Sequence, residues 1–94
     1  MRDLDKAIAE AANNIKKAEA LVFQYKSFIL KCASDFSKRY ITQSDDEWAI
    51  ALKAFMEAIK YYDVNKGSFL SFSEMVIKRR LTDYYNSNKN YSRE

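Results

Sequence analysis

Apolar residues recur every three or four positions along most of the chain, the period of an α-helix with one buried face. Leu4, Ile8 and Ala11 or Ala12 outline a short first helix ending near Asn13-Asn14. A longer second helix carries Ala18, Leu21, Val22, Tyr25, Phe28, Ile29, Cys32, Phe36 and Tyr40 and is expected to be the spine of the core. Ser44-Asp45-Asp46-Glu47 has capping-box spacing, in which serine and glutamate each bond the other's free backbone N–H, so a third helix is expected to start there. Its inner stripe would be Trp48, Ala51, Leu52, Phe55, Ile59 and Tyr62. It should stop in Asp63-Val64-Asn65-Lys66-Gly67, where Gly67 can take a positive φ. A second box, Ser71-Phe72-Ser73-Glu74, predicts a fourth helix through about Tyr85.

At about 100° per residue, Leu70, Ile77, Leu81 and Tyr84 share one side of that fourth helix. Phe72, Met75, Val76 and Arg79 share the other, with Arg80 and Asp83 beside them. A helix in the middle of a bundle is apolar nearly all round, which accounts for two apolar sides without any function. Alternatively, the apolar side next to Lys78-Arg79-Arg80 is a platform on which bases meet the aromatic part and phosphates the basic part. The basic triplet decides nothing alone, because charge runs are usually just solvated.

Composition supports helices throughout. The single glycine and the absence of proline remove the punctuation of hairpins, while Ala, Lys, Leu, Glu and Ile favour helix, so an all-α bundle of about four helices is expected. Ninety-four residues with 48% hydrophobic content can bury one modest core. Residues 1–86 are assigned to that domain, and the polar residues 87–94 to a tail or the start of a linker. No apolar run approaches the roughly 20 residues that cross a bilayer, and Met1-Arg2-Asp3-Leu4-Asp5 lacks a signal-peptide pattern, so a cytoplasmic protein is expected.

Chemistry is scarce. Histidine is absent, Cys32 is alone and falls at core spacing, and no glycine-rich phosphate loop is present. No enzyme activity, metal or cofactor is expected. Charge is uneven: residues 1–40 carry eight basic and five acidic side chains, residues 41–59 one and four, and residues 60–94 seven and four. Basic ends suit phosphate and an acidic middle suits a basic protein surface, although solvated helix faces produce the same blocks.

The stretch from Trp48 to Asp63, followed by Asn65-Lys66-Gly67, resembles region two of the sigma-seventy family of RNA polymerase sigma factors. The continuation Phe69-Leu70-Ser71-Phe72-Ser73-Glu74-Met75-Val76-Ile77-Lys78-Arg79-Arg80-Leu81-Thr82-Asp83-Tyr84 resembles the SigI type, and the likeness covers roughly residues 13–86. The resemblance implies a region-two helical bundle that binds core polymerase and recognises and melts the promoter minus-ten element. The third helix would dock on the clamp coiled coil of the polymerase largest subunit through Asp46, Ala49, Ile50, Lys53, Met56 and Glu57; the family often has Gln or Glu where Ala49 and Ile50 stand. On the promoter side, Phe72 would stack on a flipped base of the single-stranded element, with Ser71 and Lys66 lining its pocket or holding phosphate and Tyr62 and Asp63 supporting it from the other side. Met75 and Val76 stand where primary sigma factors carry a tryptophan pair that wedges against the duplex edge. Arg79 and Thr82 would meet the upstream edge of the element, Arg79 at a guanine edge or only a phosphate, and Arg80 is counted with the DNA-binding residues. A membrane-linked anti-sigma factor of the RsgI type is implied for the full-length protein. A helical protein-interaction module that never touches DNA, and a helix-turn-helix duplex binder, are the competing readings.

Overall fold

Short polar side chains open some of the helices, and backbone turns at Tyr25 and Lys38 set other boundaries. The chain is described here by a computed structural model covering residues 3–92, with side chains throughout except at Asp3, Lys66 and residues 88–92. Helix α1 (Asp3–Ala11) stops before Asn13-Asn14, and Asn14 then caps α2 (Ile15–Gln24) by accepting the Lys17 N–H on its side-chain oxygen at 3.2 Å.

The expected long second helix is two helices. Tyr25, at φ −104° and ψ 17°, leaves the helical region and separates α2 from α3 (Lys26–Ser37). The apolar stripe continues across the break, because Tyr25 still donates to the Leu21 carbonyl and accepts from the Ile29 N–H. At the far end Lys38 adopts the left-handed conformation at φ 57° and stops α3 as a glycine would. That reversal throws Tyr40 out to 83% exposure, correcting its expected core position, and turns Ile41 inward to 1%. The Ile41 N–H is met by Ser34 Oγ at 3.0 Å.

Neither capping box forms as expected. Asp45 is the N-cap of α4 (Asp46–Tyr61), and its carboxylate turns back to accept the Thr42 N–H at 2.8 Å, while Glu47 is buried among other partners. The last long helix, α5 (Phe69–Ser92), starts two residues before Ser71: Ser68 Oγ accepts the Ser71 N–H at 3.2 Å and its carbonyl accepts the Phe72 N–H. The early start lets Phe69 and Ser73 face the core, and buried Ser73 donates to the Leu70 carbonyl at 3.0 Å. Helix α5 also runs past Tyr85 to Ser92, since nothing after Asn86 is a helix breaker and each added residue closes one more backbone bond.

Between α4 and α5 lies a 3₁₀ turn (Val64–Lys66), opened by Asp63 Oδ1 accepting the Asn65 N–H at 2.9 Å and closed by Gly67 at φ 110°. Helix α4 packs most extensively along α5 and also touches α1, α2 and α3. Phe55, fully buried, is the centre of an aromatic chain: Tyr25 on one side at 6.1 Å, Phe69 edge-on at 5.4 Å on the other, and Tyr62 edge-on to Phe69 at 5.3 Å. Burying each such ring contributes roughly 2–3 kcal/mol. The architecture is all-α, as expected, and no described helix is long and apolar enough to cross a membrane.

Candidate nucleic-acid and partner interfaces

The outer side of α5 and the loop before it bring together part of the expected nucleic-acid set. Ser71, Met75, Arg79 and Thr82 are exposed along one stripe, with Lys78 beside them and Phe72 half-buried at its edge. Phe72 leans on the Tyr62 ring, centroids 6.0 Å apart, so it is a braced surface and not a free side chain. Met75, 47% exposed, extends that apolar surface outward. Arg79 makes no hydrogen bond or ion pair among the described residues and stays available to an anion. The Thr82 hydroxyl donates to the Lys78 carbonyl at 2.8 Å, which leaves its oxygen able only to accept. Asp63 is committed to its turn, and the Lys66 side chain lies outside the described residues.

Two expected members turn elsewhere. Val76 is 8% exposed and belongs to the core, because the α5 core arc is centred between Phe69 and Ile77 and takes in the Val76 position. It supports the outer stripe from beneath. Arg80 reaches back to α4, where its guanidinium meets both Glu57 oxygens at 2.6 and 3.1 Å, with Asp83 at 3.4 Å. The Glu57 bonds raise Arg80 above its ordinary value and hold it as a fork on a carboxylate.

The outer ridge of α4 collects the expected partner-binding residues. Asp46, Ala49 and Lys53 are exposed, and Ile50, Met56 and Glu57 are half-buried. A groove runs along each flank. On the α5 side, Ile50, Lys53, Glu57, Arg80 and Tyr84 line an open space of about 420 Å³. On the α2 side, Val22, Phe23, Trp48, Leu52 and Met56 line a more apolar one of about 610 Å³, with Glu19, Lys26 and Lys53 at its rim. Phe23, 81% exposed, is the surface residue that the periodicity missed. Val22 packs on the core as its spacing predicts, whereas Phe23 falls outside the apolar stripe and lines the groove.

A buried polar clasp was also missed. Glu47, 5% exposed, accepts from the Tyr85 hydroxyl at 2.7 Å and from Arg39 at 2.9 Å, and Tyr85 in turn lies 2.8 Å from Ser37 Oγ. Burial pulls the Glu47 carboxyl upward, but Tyr85, its own backbone N–H and Arg39 outweigh that and leave it below its usual range. Burial first, and Glu47 after it, push the Tyr85 hydroxyl up, against a lowering by Ser37. The clasp joins the α3–α4 connection to α5. In the sequence, Glu47 sits where a capping glutamate would, and that reading concealed its inward direction.

Cys32 is buried in the core, and burial, with Glu74 and Asp35 nearby, pushes its thiol up to about 11. A buried thiol raised in this way carries little thiolate at neutral pH, in keeping with a packing role. Among the described residues no three His, Cys, Asp or Glu side chains converge as metal ligands would.

No protein-family model matches the chain. Individual proteins do. The RNA polymerase sigma factor SigI7 of Acetivibrio thermocellus is 44% identical over 90 residues, 95% of this chain and 38% of that protein. SigI1 of the same organism is 50% identical over 78 residues, 81% of this chain and 30% of that protein. SigI of Bacillus subtilis strain 168 is 46% identical over 83 residues, 86% of this chain and 33% of that protein. The chain thus spans about a third of the length of the curated relatives it matches.

Proposed function

The chain belongs to the SigI-type RNA polymerase sigma factors, and from that premise we propose that it binds core polymerase through α4 and recognises and melts the promoter minus-ten element through α5. The observation that carries the promoter half is the outer stripe of α5. An aromatic braced by a second aromatic stands beside an exposed methionine and an arginine with no partner among the described residues.

Melting requires a base to leave its stack, which costs a few kcal/mol and must be offset by a new stacking surface. Phe72 supplies a surface whose orientation is already set by Tyr62, so little ordering entropy is lost when a base arrives. Met75 extends it with less stacking area than an indole. Arg79 supplies charge for a phosphate or a guanine edge. Val76 contributes by packing, and Arg80 by tethering α5 to α4.

For polymerase, the support is the ridge of α4 with a groove on either flank, a shape that suits a two-helix partner straddling it, such as the clamp coiled coil of the largest subunit. Ile50, Met56, Phe23 and Leu52 supply the apolar part of that surface. An anti-sigma factor of the RsgI type remains part of the proposal for the full-length protein.

The test uses the chain on core polymerase and a single-stranded oligonucleotide enriched from a random pool. Phe72→Ala is expected to weaken oligonucleotide binding about tenfold, in line with the loss of one stacking contact, and to leave polymerase affinity unchanged. Full oligonucleotide affinity in Phe72→Ala overturns the stacking surface. Equal preference for single-stranded and duplex forms overturns melting in favour of duplex reading.

A further inference from the structure

Tyr62 stands at the point where α4 ends, with φ −63° and ψ 136°, and its hydroxyl lies between two acceptors. One is the Gly67 carbonyl at 2.8 Å, and the other is Asp5 Oδ1 of α1 at 3.1 Å. A phenol has one proton, so the donation is divided between the loop and the N-terminal helix. The same ring is edge-on to Phe69 at 5.3 Å and tilted against Phe72 at 6.0 Å.

We propose that Asp5 is a positioning residue for the nucleic-acid surface: by competing with the Gly67 carbonyl for the Tyr62 hydroxyl proton, it sets the orientation of the Tyr62 ring and, through that ring, of Phe72. The inference rests on the promoter-reading role proposed above. Asp5 is not on a loose end, since Leu4 packs on the core and Ile8, one turn on, is 2% exposed. Val64 and Asn65 are exposed, the turn is held by the Asp63 cap, and Gly67 occupies a conformation, φ 110° and ψ −167°, that only glycine adopts readily. A carboxylate anchored in the α1 register therefore limits how far the Tyr62 ring can swing, and the ring carries that limit to Phe72.

Gly67 is the single glycine of the chain, so its amide gives one isolated glycine resonance and reports on the loop without nucleic acid. Asp5→Ala removes the acceptor, whereas Asp5→Asn keeps an amide oxygen in its place. The expected result is a Gly67 resonance displaced in Asp5→Ala and in Tyr62→Phe and close to wild type in Asp5→Asn. On core polymerase, with the oligonucleotide enriched from the random pool, Asp5→Ala should bind about fivefold more weakly, the loss expected of one hydrogen bond, and Asp5→Asn should recover most of it. Polymerase affinity should not change.

A Gly67 resonance unmoved in Asp5→Ala overturns the proposal, as does an equal affinity loss in both Asp5 variants, which would assign the effect to charge. If the resonances respond as expected but wild-type chain on polymerase does not bind the oligonucleotide, the promoter-reading role fails while the Asp5 brace stands.

Discussion

Arg79 and Arg80 are adjacent in the chain and differ in what surrounds them, because one helical step turns Arg80 toward Glu57 and leaves Arg79 in solvent. Arg79→Ala should leave the melting temperature unchanged, weaken nucleic-acid binding and reduce its salt slope by about one, measured by titration at several salt concentrations. Arg80→Ala should instead lower the melting temperature by a few degrees, since α5 loses its fork onto α4. Glu47 gives a pH signature. Its folded-state carboxyl is lowered, so the unfolded chain takes up that proton more readily, and the stabilisation is complete above the usual carboxylate range and lost as pH falls through the lowered value. Glu47→Gln should therefore flatten the acid limb of a urea-stability profile, and Glu47→Ala should cost about 2 kcal/mol at neutral pH. At this scale the sequence was legible where chemistry is local, as in the positive φ of Gly67 and the core placement of Cys32. It was not legible for Val76, Arg80 or Glu47, whose directions depend on a partner helix far along the chain.

Helices were read correctly as helices because their apolar period is set by local geometry, and their ends were misread because several polar residues offered equivalent caps. Ser68, Ser71 and Ser73 can each start α5; packing of Phe69 against Phe55 selects Ser68. Ser68→Ala is expected to cost about 1 kcal/mol by chemical denaturation, and Ser71→Ala, exposed on the outer stripe, close to nothing. The break at Tyr25 left no mark in the sequence, since neither glycine nor proline causes it and the hydrophobic register survives it. Lys38 is the clearest case. A non-glycine residue held at φ 57° is strained, and it persists because the reversal buries Ile41. Lys38→Gly should relieve that strain and raise stability by about 1 kcal/mol, provided the unfolded chain's added freedom does not exceed it. A lower midpoint would show that the strain at Lys38 is smaller than the combined loss of its stem contacts and gain in unfolded-chain freedom.

Across the whole molecule, the acidic block at residues 41–59 suggests a surface for a basic partner, but most of that charge is already paired within the chain. Asp45 and Glu47 face Arg39, at 3.7 and 2.9 Å, and Glu57 faces Arg80 at 2.6 Å. Asp46 alone among the four has no cationic partner among the described residues; it accepts only the Tyr84 hydroxyl, at 3.2 Å, and is exposed. Charge reversals at Asp46 and Glu57 should therefore behave differently. Asp46→Lys should weaken binding to core polymerase with stability nearly unchanged. Glu57→Lys should set a cation against Arg80, loosen α5 from α4, and weaken polymerase and oligonucleotide binding together. The measurement is a pair of affinities for each variant alongside its melting temperature. A Glu57→Lys variant that lost polymerase affinity alone, at full stability and full oligonucleotide affinity, would mean that Glu57 meets the partner directly and that its bond to Arg80 is dispensable. The same logic governs salt: docking driven by Ile50, Met56 and the α2 groove should weaken little between low and moderate salt, whereas nucleic-acid binding through Lys78 and Arg79 should fall steeply, because only the latter releases condensed counterions.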